Sequence, residues 1–158
     1  QARPAVMDVL AVVTAFTLAH SITLGLSVLK WLEPSPDLIE PAIAISVVIA
    51  ALNNLVGWSA LRRWQLAFVF GLVHGFGFAN VLLDLGLPAS SLAVALGGFN
   101  VGVEAAQAGI IVVTAGVLYL LLKARLEPTL LRRILGLLIA AVGTAIMAYR
   151  IWALAKGA

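Results

Sequence analysis

An all-α fold, a polytopic bundle of about five transmembrane helices, follows from three features of the sequence. Of the 158 residues, 63% are hydrophobic and only 11% charged, where a soluble domain carries about a quarter charged residues. The apolar residues run in stretches of about 20, the length that crosses a hydrocarbon core about 30 Å thick. They run continuously rather than alternating, which argues against a membrane barrel. These stretches use up the chain, so one integral membrane domain over 1–158 is expected.

The first span covers about 7–29. A polar turn with Glu33, Pro34, Pro36 and Asp37 ends it, because proline cannot continue a helix and restricts the residue before it. The second span covers about 38–58, with Glu40 and Pro41 placed to suit a first helical turn. Arg62 and Arg63 form a short basic connection. The third span covers about 65–85 and ends at Gly86-Leu87-Pro88. The fourth stretch, 92–122, is about 31 residues or ~46 Å of helix, too long for an upright crossing. It is expected to tilt, protrude, or bend near Gly97-Gly98 or Gly102. Lys123, Arg125, Glu127, Pro128, Arg132 and Arg133 mark the last connection, and the fifth span covers about 130–155.

Basic residues set the orientation. Arg3, Arg62, Arg63, Lys123, Arg125, Arg132 and Arg133 fall on one side, against Lys30, Arg150 and Lys156 on the other. The richer side faces the cytoplasm, so the N-terminus is expected inside and the C-terminus outside. The net charge of +3 is thereby accounted for, and no basic patch interleaved with aromatics points to nucleic acid. The absence of cysteine removes disulfides, thiolate metal sites and cysteine nucleophiles. The start of the chain does not read as a signal peptide, since the apolar stretch is too long and no small-residue cleavage site follows.

Function concentrates in polar groups at membrane depth, which are costly unless they face the bundle interior or water. The first span holds FTLAHSITL, residues 16–24. Its Thr and Ser hydroxyls can bond to the preceding turn, but His20 has no such refuge; it is either packing glue between helices or a ligand. In the second span Glu40 reads equally as a helix-start carboxylate or as a cation-gathering group, and Asn53 shares a face with Ser46. The third span holds FGLVHGFGFA, residues 70–79, where His74 sits among glycines that let helices approach closely or make room for a ligand. A small and polar face continues from Gly77 toward Asp84. The fourth holds GFNVGVEAAQ, residues 98–107. Its Asn100, Glu104 and Gln107 form one stripe at i, i+4 and i+7. Glu104, a carboxylate inside an apolar span, must be protonated, paired, metal-bound or wet. Two histidines and a carboxylate suit a borderline divalent cation such as Ni²⁺, Co²⁺ or Zn²⁺. His20, His74 and Glu104 are the candidate metal ligands; Glu40, Asn53, Asn100, Gln107 and Asp84 are candidates for orienting them or lining the pathway.

The strings FTLAHSITL, FGLVHGFGFA and GFNVGVEAAQ, in that order, resemble the HupE/UreJ family, and its second group in particular. Between the first two lies IEPAIAIS, residues 39–46, similar to that group's VExxIAxS element. The family is known as hydrogenase and urease accessory proteins, thought to be nickel or related metal permeases of the bacterial inner membrane. The resemblance places His20, Glu40, His74, Asn100, Glu104 and Gln107 on family motif positions. Members of the family usually carry, upstream of these motifs, a span with an H-x5-D-H type motif, which does not occur within these 158 residues. Asn53-Asn54 stands where the family has Glu-Asn, and Ala106 where it has glycine.

Three functions are compatible with these residues. The first is a metal-ion permease or metal-delivery protein with a weak intramembrane His/Glu site, weak because the ion must also leave. The second is an intramembrane zinc metalloenzyme, disfavoured by the lack of a separate general base; the chain is therefore expected not to be an enzyme. The third is a structural or accessory subunit of a larger membrane complex. The expected partners are the lipid bilayer and other membrane subunits or a metalloenzyme maturation system.

Overall fold

The computed structural model describes residues 2–57, 60–84, 86, 88–125 and 127–156. They form five α-helices: α1 (Ala2–Val28), α2 (Pro36–Val56), α3 (Arg63–Asp84), α4 (Ala89–Lys123) and α5 (Pro128–Ala155). No strand occurs among the described residues. All five are long and apolar enough to cross a membrane, and the shortest, at 21 residues, is about 32 Å long.

Local chemistry sets the helix ends. Ser35 caps α2: its Oγ accepts from Asp37 N at 3.2 Å, and its carbonyl accepts from Leu38 N and Ile39 N. Pro36, whose missing N–H costs nothing in a first turn, follows directly. The helix thus begins two residues earlier than the apolar pattern predicts, and Pro41 falls inside it. Before α3, Gln65 Oε1 reaches back to accept from Arg62 N at 2.8 Å while Gln65 N donates to the Arg62 carbonyl; the first of these is the side-chain half of a capping box. α1 closes with Lys30 in the left-handed region (φ 59°), Lys30 N bonding to Ser27 O and Trp31 N to Leu26 O; these satisfy carbonyls that a helix end leaves open. Gly57 follows α2 at φ 64°, the conformation glycine adopts without a Cβ clash.

The fourth helix runs without interruption through Gly97, Gly98 and Gly102 for 35 residues, about 52 Å.

The chain divides into two compact units: Gln1–Ile43 with Ala60–Glu104, and Ala44–Ser59 with Ala105–Ala158. The first unit is built on α1 against α3. A Cβ on Gly71 would strike the Phe16 carbonyl and lie 2.9 Å from Ala19 Cβ; a Cβ on Gly75 would strike Thr23 Oγ1 and the His20 carbonyl. These glycines, four apart, let two main chains touch, as small residues do between membrane helices. Leu24, Val28, Ala79 and Leu82 form the apolar core, with Leu92, Ala95, Leu96 and Phe99 of α4 packed on it. Ile43 of α2 fills the space beside Gly77. In the second unit, α2 lies on α5 through Gly136, against Leu55, and Gly143, against Val47 and Val48.

Candidate functional site

The polar stripe of α1 lies on its buried side. Thr17, His20, Thr23 and Ser27 are all buried, at spacings of three and four that keep them near one face. The hydroxyls of Ser21 and Thr23 turn back on the helix, as their types predict, while Ser27 Oγ donates forward to the Leu32 carbonyl at 2.8 Å. Ser21 Oγ lies 2.7 Å from the Thr17 carbonyl, and Thr23 Oγ1 lies 3.2 Å from the Ala19 carbonyl and 3.3 Å from that of His20. Ser21 Oγ also stands 2.9 Å from Asn100 Oδ1, which ties α1 to α4.

His20 is 2% exposed, and neither Nδ1 nor Nε2 has a hydrogen-bond partner among the described residues. Aromatic rings hold it instead. Phe16 stacks on it with centroids 6.0 Å apart and 13° between planes, Phe99 stacks at 5.8 Å and 23°, and Phe78 meets it edge-on at 5.9 Å. Phe78 and Phe99 touch each other at 4.9 Å. A buried polar atom without a partner costs about 1–3 kcal/mol, so the fold carries an imidazole whose bonding capacity is unspent.

His74 also meets Phe16, edge-on at 5.4 Å. Its Nδ1 lies 2.8 Å from the Phe70 carbonyl. A carbonyl only accepts, so Nδ1 carries the proton and the Nε2 lone pair is left for a ligand. That is the usual arrangement of a metal-binding histidine, whose second nitrogen is held by a backbone carbonyl. The packing thus brings two of the sequence-predicted ligands together around one phenylalanine.

The other predicted residues are placed differently. Asn100 is half-buried and meets Ser21, the neighbour of His20. Glu104, one turn further along α4, is exposed. No group of three His, Asp or Glu side chains able to hold a metal occurs among the described residues. Glu40 is half-buried and engaged with neighbours; so are Asn53 and Gln107, which belong to the second unit. Asp84 ends α3, and its side chain lies outside the described residues.

Sequence reasoning missed the phenylalanines. Phe16 stands four before His20 and Phe78 four after His74, spacings that put an aromatic beside an imidazole on a helix. Phe99 precedes Asn100 and carries no comparable signal.

A family model described as HupE / UreJ protein matches residues 2–155. No curated protein and no solved structure matches the chain.

Proposed function

We propose, from the premise that the chain belongs to the HupE/UreJ family, that this multi-pass membrane protein is an inner-membrane permease or delivery protein for nickel or a related divalent cation. The observation that carries the reading is the pair of imidazoles flanking Phe16: His20, enclosed with both nitrogens unpartnered, and His74, with Nε2 left as its lone-pair nitrogen. Imidazole nitrogen suits Ni²⁺, Co²⁺ and Zn²⁺ better than Mg²⁺ or Ca²⁺. Two protein nitrogens hold an ion loosely, as passage requires. Glu104 serves as a third, transient ligand or as the group that exchanges a proton when the ion leaves. Glu40 and Asp84, near the outer ends of their spans in the orientation that the basic residues predict, gather cations there. The test is uptake of labelled nickel by cells expressing the protein. Uptake is expected to fall to background in a Glu104→Gln, His74→Ala double variant, and unchanged uptake overturns the reading.

A second reading, an accessory subunit of a larger membrane complex, is favoured by one feature of α4. Its glycines Gly97, Gly98, Gly102, Gly109 and Gly116 all face open space, and Glu104 in the same helix is exposed. A carboxylate at membrane depth is stable against protein or water rather than lipid. Purification from native membranes separates the two: a stable complex with other subunits supports the second reading, and a lone protein that carries nickel supports the first.

A further inference from the structure

His20 is walled by rings on three helices: Phe16 on α1, Phe78 on α3 and Phe99 on α4. Of the hydroxyls near it in sequence, Thr23 bonds to carbonyls of α1, and Ser21 to the Thr17 carbonyl and to Asn100 Oδ1 of α4. The three ring faces offer an arriving cation no lone pair, and His20, as a neutral imidazole, offers one ring nitrogen. Phe16 lies against both His20 and His74, so the same ring borders both imidazoles. Phe78, 46% exposed, has one side against His20 and the other open, which makes it the thinnest part of the wall.

Building on the metal-permease reading, we propose that Phe16, Phe78 and Phe99 form a dehydrating collar that determines which cations reach His20. An ion inside must give up most of its water and receives imidazole nitrogen in exchange. Mg²⁺ sheds water reluctantly, and Ca²⁺ needs six to eight oxygen ligands; the collar compensates neither. Ni²⁺ and Co²⁺ hold their water at least as firmly but lie higher in the affinity order for nitrogen ligands, so imidazole returns to them part of a loss that it does not return to Mg²⁺ or Ca²⁺. Discrimination thus comes from what the rings withhold as much as from what the histidines supply, a use of repulsive design against the wrong partner. The rings also shield His20 while no ion is bound, which lets an unpartnered imidazole persist in the fold.

The test uses the full chain in liposomes and two readouts. The first is modification of His20 and His74 by diethyl pyrocarbonate, read by mass spectrometry, which needs no metal. In the unaltered protein His74 is expected to react and His20 to be protected. Phe78→Ala and Phe16→Ala are expected to expose His20, and Phe78→Leu, which keeps the bulk, to leave it protected. The second readout is influx of Ni²⁺ and Mg²⁺. The alanine variants are expected to raise Mg²⁺ influx about tenfold relative to Ni²⁺, the factor that about 1.4 kcal/mol of lost discrimination produces. Phe78→Ala removes a half-exposed ring, so it tests the collar even if Phe16→Ala does not fold. Rapid modification of His20 in the unaltered protein overturns the collar. Intact Mg²⁺ exclusion in alanine variants that still carry Ni²⁺ overturns it while leaving the permease reading standing. No Ni²⁺ influx in the unaltered protein overturns the permease reading itself, and the selectivity role with it.

Discussion

Gly75 of α3 rests on the main chain of α1 at His20. A methyl group on Gly75 would run into the His20 carbonyl oxygen and the Thr23 hydroxyl, with Leu24 N only 3.0 Å away. The close approach that carries His74 toward His20 therefore depends on a missing side chain. Gly75→Ala and Gly71→Ala are expected to destabilise the protein by about 1–3 kcal/mol each, as overpacking does. Gly102→Ala and Gly109→Ala, where a methyl meets nothing within 4 Å, are expected to stay within about 0.5 kcal/mol of the parent. Thermal unfolding in one detergent compares the four, and equal midpoints for Gly75→Ala and Gly102→Ala would contradict the contact.

His20→Leu separates stability from function. The two side chains have similar bulk, and leucine removes two buried nitrogens that have no partner. The variant is expected to unfold at the same or a higher denaturant concentration, with a gain of up to about 1 kcal/mol, and to lose nickel uptake. A variant that keeps parental uptake shows that the imidazole is packing material.

The contact between Ser21 Oγ and Asn100 Oδ1, at 2.9 Å, is a hydrogen bond that joins α1 to α4. A serine hydroxyl has one proton, and Thr17 O lies nearer at 2.7 Å. Ser21 therefore shares its one proton between two acceptors, the Thr17 carbonyl and Asn100 Oδ1. A double-mutant cycle with Ser21→Ala and Asn100→Ala is expected to give a coupling of about 0.5–1.5 kcal/mol. A coupling of zero would mean that α1 and α4 are held by apolar packing alone.

Orientation can be read from single cysteines, because the chain has none of its own. Arg63→Cys, in the basic connection, is expected to react with an impermeant maleimide only from the cytoplasmic side, and Glu33→Cys only from the opposite side. Labelling of both from one side would rule out a crossing by α2.

Much of the fold was legible because membrane insertion depends on local properties. Length and apolarity set the five spans, and the ends were misjudged by only a few residues where capping chemistry at Ser35 and Gln65 outweighed the hydropathy pattern. The hydroxyls of Ser21 and Thr23 bonded to the preceding turn, as their positions within a helix require. The candidate site was only partly legible. His20 and His74 stood out as polar exceptions. The phenylalanines around them did not, because an aromatic in an apolar span raises no signal until its neighbour is known.

The sequence by itself determined that this chain forms five helices long and apolar enough to cross a membrane, where they lie to within a few residues, and which polar residues they carry to membrane depth. Those are properties of one segment at a time, set by the loss of backbone hydrogen bonding to water in lipid. Only the tertiary structure decided which polar residues meet. His20 and His74 come together around Phe16 because two glycines let α1 and α3 touch, while Glu104, equally conspicuous in the sequence, stays exposed on α4. Spacing along one helix fixes a residue's face. Which other helix that face meets is a matter of packing between segments far apart in the chain.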